Sequence, residues 1–240
     1  MKSSAEKQLA ENKMDYLAAI SRAALSAIPI AGGLLGELIT TIIPNQRIDR
    51  IADFSVKLEE RIDALEWSNA NDIMQDADFT DLLEDAVIAA ARAVTEERRS
   101  YLASLVANSL TSEDISYVES KHLLRILNEL NDIEILWLRY YFGLSIGGDK
   151  EFQTKHENVL VSADKSMPPS DRTRDKKALQ DSYREHLLQL NLLEEKIRTF
   201  KIDDRTKVAN VDSIGKPERK SIGITRLGKM LLASIDLIPE

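Results

Sequence analysis

The sequence contains no cysteine, which excludes disulfide bonds and thiolate chemistry. It has only 3 histidines, His122, His156 and His186, and these share no metal-ligand spacing. Glycine is also scarce, with 9 residues in 240, and none of them belongs to a glycine-rich phosphate-binding loop. We therefore predict no cofactor and no metal site.

We also expect no secretory signal at the N-terminus. The N-terminal sequence MKSSAEKQLAENK is polar and mixed in charge, unlike the basic start and apolar run of a secretory signal. A single transmembrane helix needs roughly 20 apolar residues, and no uninterrupted stretch of that length occurs. We expect a cytoplasmic protein, with membrane association on activation as an open alternative.

Charge is distributed unevenly along the chain, whose net charge is −8. Residues 1–120 hold 11 basic and 21 acidic side chains, whereas residues 121–240 hold 21 and 19. Within residues 165–229 the basic side chains are in excess, at 16 against 10. An acidic N-terminal half and a mildly basic C-terminal part indicate different roles for the two.

The most apolar segment spans residues 23–44, and residues 23–36 include no charge. Pro29, Gly32 and Gly33 interrupt it, which predicts a helical hairpin. The hairpin either packs within the protein or between copies, or it enters a membrane, since glycines permit close helix packing in lipid. The predicted membrane or interface residues are Ile28, Ile30, Gly32, Gly33, Leu34, Leu35, Leu38, Ile39, Ile42 and Ile43.

The segment after the hairpin is amphipathic. Its apolar residues recur at spacings of three and four: Ile48, Ile51, Phe54, Leu58, Ile62 and Leu65. This spacing predicts a helix within residues 44–67, with Asn45 as its candidate N-cap. We expect its apolar face to support self-association through the N-terminal helices.

Residues 76–80 are predicted to form a polar break, and residues 81–110 one or two helices with Val94 on the apolar side. The charges of EERR at 96–99 are interpreted as a solvated face. A further helical region follows in two pieces, with Asp132 as the N-cap of the second piece, and with Gly143 and the IGGD at 146–149 as its end.

One set of side chains is of a catalytic type. Asp114, Glu119 and Lys121 are the residue types of a nuclease carboxylate–lysine set, but such a set lies on strands and this stretch is predicted to be helical. No other reactive constellation is evident, so we expect no enzymatic activity.

The C-terminal part has the element order of a winged-helix domain. The predicted elements are a helix at 171–196, strands at 197–202 and 220–225, and a closing helix at 225–235. Thr225 is the candidate cap of the closing helix, and Gly228 is expected to permit close backbone packing. The leucine-rich end of the first helix and the closing sequence GITRLGKMLLASI resemble those of winged-helix domains.

Two uses of such a domain stay open, DNA binding and protein contacts. For DNA binding, the first helix would enter the major groove and the wing would contact phosphates. The candidate nucleic-acid residues are Arg172, Arg174, Lys176, Lys177 and Arg184 on the helix, and Lys216, Arg219 and Lys220 in the wing. Acidic residues on the same helix oppose this field: Asp171, Asp175, Asp181 and Glu185. Any DNA binding is therefore expected to be weak.

Residues 99–142 read RSYLASLVANSLTSEDISYVESKHLLRILNELNDIEILWLRYYF. An apolar helix ending in small residues precedes a break, a Leu-x-x-Leu repeat and an acidic cap. The residues that carry this pattern are Leu102, Leu105, Asn108, Leu110, Leu124, Leu127, Leu130 and Leu136. Through these residues, the segment at 99–142 resembles the Abi-alpha type of abortive-infection protein. Residues 26–51, SAIPIAGGLLGELITTIIPNQRIDRI, are similar to the opening of a group of bacterial proteins.

The resemblance implies bacterial defence against phage and transfers no catalytic residues. We predict a mainly α protein, with an N-terminal helical hairpin and helical bundle in an all-α assembly region at 1–130. A winged-helix-like domain with a small β-wing follows at 131–240. The expected partners are further copies of the chain, a membrane, and DNA or a phage or host protein as trigger. A DNA-binding transcriptional regulator and a scaffold or adaptor subunit are the alternatives.

Overall fold

A computed structural model describes residues 47–63, 76–111, 115–160, 170–197, 199–201, 207–209 and 219–239. This part of the chain is mainly helical and has a small antiparallel β component, so the predicted mainly α class is confirmed for it. The chain divides into two compact units. The first is Met1–Asn128 with Ser234–Asp236, and the second is Glu129–Ala233 with Leu237–Glu240.

The described residues form nine helices and four strands. The helices are α1 (Ile48–Asp63), α2 (Ala77–Arg92), α3 (Glu96–Ser109), α4 (Tyr117–Glu129), α5 (Asp132–Ser145), α6 (Lys150–Lys155), α7 (Glu157–Leu160), α8 (Asp171–Gln189) and α9 (Arg226–Ser234). The strands are β1 (Leu193–Ile197), β2 (Thr199–Lys201), β3 (Lys207–Ala209) and β4 (Arg219–Ile224).

Helix α1 confirms the amphipathic pattern. Ile51, Phe54 and Leu58 are buried on the side that packs against α2 and α3, whereas Val56 is 42% exposed. Each of the three buried side chains contributes about 1.5–3 kcal/mol relative to an exposed position. The helical spacing of the sequence therefore builds the core of the first unit. The expectation that this apolar face supports self-association is wrong, because the face is already buried within its own unit.

Helix α2 begins inside the residues predicted as a polar break. The Asp76 carboxylate caps it by accepting hydrogen bonds from the backbone N–H groups of Asp78 and Phe79, at 2.8 and 3.0 Å. Phe79 is buried, and its ring centroid lies 5.2 Å from that of Tyr117. The prediction of a break over residues 76–80 is wrong because the polar residue that ends the loop also starts the helix.

A short turn over residues 93–95 separates α2 from α3. Thr95 caps α3, since its Oγ1 accepts from the backbone N–H of Arg98 at 3.3 Å. Val94 is 76% exposed in this turn, so its predicted place on an apolar face is wrong. Helical periodicity stops between two helices, and spacing no longer decides which side chain is buried there.

The two arginines of EERR do not lie on a purely solvated face. Arg99 forms an ion pair with Asp53 of α1 and donates to the Ala93 carbonyl at 3.1 Å. Arg98 donates to the Leu127 carbonyl, near the end of α4, at 2.7 Å. The sequence-based interpretation is wrong for these two side chains, because both hold helices of the first unit together.

The turn after α9 belongs to the first unit. Arg61 of α1 donates to Ser104 Oγ at 2.9 Å, and its Nε lies 3.5 Å from the Asp236 carboxylate. Asn108 of α3 donates to the Asp236 carboxylate at 2.9 Å and to the Ser234 carbonyl at 3.1 Å. Side chains from two helices therefore hold this turn in place.

Helix α5 starts one residue earlier than predicted. Asn131 is its N-cap and accepts from the Glu134 N–H at 2.9 Å, while the Glu134 carboxylate accepts from the Asn131 N–H at 2.8 Å. Asp132 is therefore the first helical residue and not the cap. Gly143 is buried within the helix, so this part of the predicted end is wrong. The other part is confirmed, because the left-handed backbone that follows the helix lies at Gly147, with a φ of +96°.

Helix α8 and strand β1 share the residues 171–196 that were predicted as one helix. Asn191 adopts a left-handed φ of +56°, and β1 begins at Leu193. The Leu192 N–H bonds back to the Leu187 carbonyl at 3.0 Å and closes the helix end. The prediction is wrong because the helix ends at a left-handed asparagine, without a glycine or proline to mark the end, and the charged residues of β1 fit a helix as well as a strand.

The four strands form an antiparallel ribbon in two parts. Strands β1 and β4 pair with Leu193 opposite Ile224, and β2 and β3 pair with Phe200 opposite Val208. The chain runs out along β1 and β2 and returns along β3 and β4. The two predicted strands are confirmed, although β1 begins before the first of them.

Thr225 and Gly228 determine the start of α9. Thr225 Oγ1 accepts from the Gly228 N–H at 3.0 Å, so the predicted cap is confirmed. Gly228 is buried against the Leu192 carbonyl. A Cβ at this position would overlap that oxygen and lie 2.8 Å from Ile224 Cγ1. The predicted close backbone packing is confirmed.

Candidate functional site

The predicted membrane or interface residues lie outside the described part of the chain. They are Ile28, Ile30, Gly32, Gly33, Leu34, Leu35, Leu38, Ile39, Ile42 and Ile43. Lys216 of the predicted wing lies outside it too. The other candidate nucleic-acid residues belong to α8 and β4 of the second unit.

Helix α8 is exposed along its first half. Ser170 caps it, with its Oγ accepting from the Thr173 N–H at 3.2 Å. All of residues 171–179 except the half-buried Thr173 are exposed, and Leu179 is 56% exposed. The second half is anchored in the unit, where Leu187 is fully buried. The first half is therefore the part that a partner can reach.

The positive charges of α8 differ in availability. Arg174 lies 2.9 Å from the Asp171 carboxylate, and Arg184 lies 2.6 Å from that of Asp181. Three further candidates are exposed and form no ion pair within the described residues: Arg172, Lys176 and Lys177. This smaller group offers unshared positive charge to a phosphate backbone.

The ribbon is mixed in charge. The backbone of Arg219 and Lys220 lies in β4, which pairs with β1. Strand β1 contributes Glu194, Glu195 and Lys196, and the Lys196 Nζ lies 3.7 Å from the Glu194 carboxylate. The two strands therefore combine acidic and basic residues, and a nucleic acid would meet both signs of charge.

An aromatic cluster on α5 lies beside Arg184 of α8. The rings of Trp137 and Tyr140 meet edge to face with centroids 5.4 Å apart, and Trp137 lies 6.3 Å from Tyr141. Burial raises the pKa of the Tyr141 phenol, and the nearby Arg184 guanidinium acts in the opposite direction. Trp137 Nε1 and Arg184 Nε are buried without a hydrogen-bond partner among the described residues. Sequence reasoning missed the contact between this cluster and Arg184 because the two lie on separate helices.

A buried carboxylate joins α5 to α8. Glu134 Oε1 lies 2.8 Å from His186 Nδ1, and the Glu134 side chain is only 5% exposed. The other oxygen of this carboxylate accepts from the Asn131 N–H. No sequence signal predicted the pair, since the search for histidine function considered only ligand spacing. The contact fixes the second half of α8 against the start of α5.

Arg139 organises the chain that follows α5. Its Nη2 lies 2.7 Å from the Asp149 carboxylate, and its guanidinium lies 5.3 and 5.1 Å from the ring centroids of Phe142 and Phe152. The Phe152 N–H bond, together with Arg139, lowers the pKa of the Asp149 carboxyl. Arg139 Nε also donates to the Leu237 carbonyl at 3.0 Å.

The residues of nuclease type are engaged in helix structure. The Glu119 carboxylate accepts from the Ser116 N–H at 2.8 Å, which lowers the pKa of Glu119. A hydrogen bond to Asp81 of α2 raises the pKa of Lys121. Both residues lie on α4, as the helical prediction requires, and Asp114 lies outside the described residues.

The described residues contain neither a candidate metal site nor a candidate membrane-spanning helix. No three or more His, Asp or Glu side chains there are arranged to hold a metal ion. None of the helices described above combines the length and the apolar character that a membrane crossing requires. No protein family, curated protein or solved structure matches the chain. Proposals about function therefore depend on the geometry and on the resemblance of residues 99–142.

Proposed function

We propose that the protein is a non-enzymatic phage-defence protein of the abortive-infection type, which acts by self-association and membrane perturbation. The observation that carries the proposal is the structure of residues 99–142, which resemble Abi-alpha proteins and form most of α3 together with α4 and most of α5. The pattern leucines that are buried are Leu102, Leu105, Leu124, Leu127 and Leu130. All of these leucines except Leu130 lie in the first unit, so most of the resembling residues have a common structural role in its core. The function itself is proposed from the resemblance.

The apolar segment at residues 23–44 is the proposed membrane-active element. Residues 23–36 carry no charge, although 30% of the whole chain is charged. Placing a charge at the centre of an inserted segment costs about 2.5–3.5 kcal/mol on the translocon scale. In this proposal the protein stays cytoplasmic until a trigger releases the segment.

Toxicity on expression in bacteria tests the membrane mechanism. Leu34→Asp should reduce both growth arrest and dye leakage, whereas Leu34→Ala should reduce neither. Val94→Asp is the matched control, because it adds the same charge at a side chain that is 76% exposed. Thermal unfolding must show that all three variants are folded, since a charge forced into a core also unfolds a protein. A folded Leu34→Asp variant that stays toxic would show that the mechanism is wrong.

A second candidate function is DNA binding by a winged-helix-like second unit. The order of α8, the β ribbon and α9 favours it, as do the exposed Arg172, Lys176 and Lys177. In this reading α8 enters the major groove and the ribbon contacts phosphates. The carboxylates of Asp171 and Asp181, already paired within α8, reduce the expected affinity.

Salt-dependent mobility shifts test DNA binding. Lys176→Glu with Lys177→Glu should abolish binding, and a single replacement that removes one phosphate-binding side chain should reduce the salt slope by about 0.9. Arg92→Glu, at an exposed position of α2 in the first unit, is the control. Tight, sequence-specific binding to DNA that the double variant abolishes and Arg92→Glu does not would favour a transcriptional regulator. A scaffold or adaptor role is the outcome if neither DNA binding nor toxicity is observed.

A further inference from the structure

Helix α5 is apolar on two opposite sides, and one of them is only partly covered. Ile135 and Leu138 are 1% and 0% exposed on the side that faces the core of the second unit. On the other side Ile133 is 37% exposed and Leu144 is 47% exposed. An apolar side of a helix normally packs against another element. The partly covered side of α5 is therefore a candidate contact surface.

This surface, the outer stripe, consists of Ile133, Trp137, Tyr140 and Leu144. Successive members are four, three and four residues apart, which places them within roughly 60° of one another around the helix axis. The same spacing defines the a and d positions of a coiled coil. Trp137 and Tyr140 are half-buried at its centre, with their rings in edge contact.

No charged side chain of α5 belongs to the outer stripe. The charged residues of the helix are Asp132, Glu134 and Arg139. Glu134 is engaged with His186, and Arg139 with Asp149. Another apolar helix can therefore cover the stripe without burying an unpaired charge, which would be costly.

We propose that the outer stripe is a self-association surface, on which α5 of a second copy of the chain packs antiparallel about a two-fold axis. In this arrangement Ile133 meets the partner's Leu144, and Trp137 meets the partner's Tyr140. Aliphatic side chains then face aliphatic ones, and aromatic side chains face aromatic ones. The stripe is thus complementary to itself, as an interface with two-fold symmetry requires.

Charge at the two ends of α5 favours the antiparallel orientation. Glu129, just before the helix, is exposed, and so is Lys150, just after it. Antiparallel pairing brings Glu129 of one copy towards the partner's Lys150 at both ends of the contact. Parallel pairing would instead place like charges together, which is unfavourable.

The size of the contact determines the expected strength. Helix α5 has 14 residues and is about 21 Å long. Pairing along it buries less than the roughly 800 Å² per partner of a standard interface. We therefore expect a weak, concentration-dependent dimer. This contact is separate from the N-terminal self-association of the proposed function and does not depend on it.

The absence of cysteine permits a direct test by disulfide cross-linking. Ile133→Cys with Leu144→Cys should give a covalent dimer on oxidation, because antiparallel pairing places the two cysteines opposite each other at both ends. Either single variant should stay uncross-linked, since its equivalent in the partner is about 16 Å away along the helix, beyond the reach of a disulfide. Val94→Cys with Val118→Cys, at two exposed positions of the first unit, is the control.

Sedimentation velocity of Leu144→Lys provides a second measurement. Leu144 is exposed, so this variant should keep the thermal stability of the parent while its dimer dissociation constant rises about tenfold or more. Cross-linking of the single variants as efficient as that of the double variant would overturn the antiparallel arrangement. The proposal is also overturned if the double variant does not cross-link, or if the dimer survives Leu144→Lys unchanged.

Discussion

The carboxylate of Glu134 and the imidazole of His186 lie 2.8 Å apart, and their contact ties the start of α5 to the end of α8. The same carboxylate accepts from the Asn131 N–H and caps α5. One buried side chain therefore determines where α5 begins and holds the end of α8 in place. The exposed basic half of α8 depends on this anchor for its position.

Glu134→Ala should lower the free energy of unfolding by about 2–4 kcal/mol. The variant removes half of a capping box and a hydrogen bond to a charged group at the same time. Urea unfolding measures the effect. Glu129→Ala, which removes an exposed glutamate, should change the stability by no more than about 0.5 kcal/mol. Equal effects of the two variants would contradict the role assigned to Glu134.

Gly228→Ala should destabilise the protein by about 1–3 kcal/mol, in spite of the better helix propensity of alanine. The reason is that the new Cβ would overlap the Leu192 carbonyl. Gly223→Ala is a matched control, because its Cβ would lie 3.8 Å from the nearest atom, in the Glu194 side chain. Thermal unfolding of the two variants distinguishes the positions. A Gly228→Ala protein as stable as the parent would show that the backbone contact can relax.

Asp149 should contribute to the loss of stability in acid. Its pKa in the folded protein is lowered from the ordinary value of 3.8, so the folded state favours the carboxylate. The stabilisation is complete above the unfolded-state pKa and is lost as the pH falls through the folded-state pKa. Asp149→Asn should therefore be less stable than the parent near neutral pH, and the difference should shrink in acid. Unfolding curves at several pH values would refute this if the difference stayed constant.

Arg98→Met should lower the free energy of unfolding by about 1–3 kcal/mol, since it leaves the Leu127 carbonyl without its 2.7 Å donor. Arg92→Met is the control, because Arg92 is exposed on α2. Chemical unfolding of both variants measures the difference. Equal free energies of unfolding for the two variants would contradict the stabilising role assigned to the hydrogen bond from Arg98 to the Leu127 carbonyl.

The sequence predicted those structural features that depend on residues close together in the chain. The apolar spacing that places Ile51 and Phe54 in the core repeats within one helix, and the Thr225 cap acts three residues away. The strand β1 was missed because its sequence, LEEKI, shows no apolar alternation and continues the preceding helical pattern. The turn at Asn191, which separates α8 from β1, depends on a left-handed residue that is not glycine.

Contacts between distant parts of the chain account for most of what was missed at the candidate site. Arg99 reaches Asp53, and His186 reaches Glu134, across separate helices. Composition shows that such charged residues are present but not which partners they find. The sequence predicted a basic α8 but not the contact of its His186 with Glu134 of α5, 52 residues away.

The turn at Ser234–Asp236 has a consequence for how this protein can evolve. Because the turn belongs to the first unit, the gene segment for the second unit also encodes part of the first. Joining that segment to an unrelated N-terminal region would deprive Asp236 of its partners Arg61 and Asn108. We therefore expect the two halves to be inherited together and to covary at these positions, rather than to be exchanged as independent cassettes.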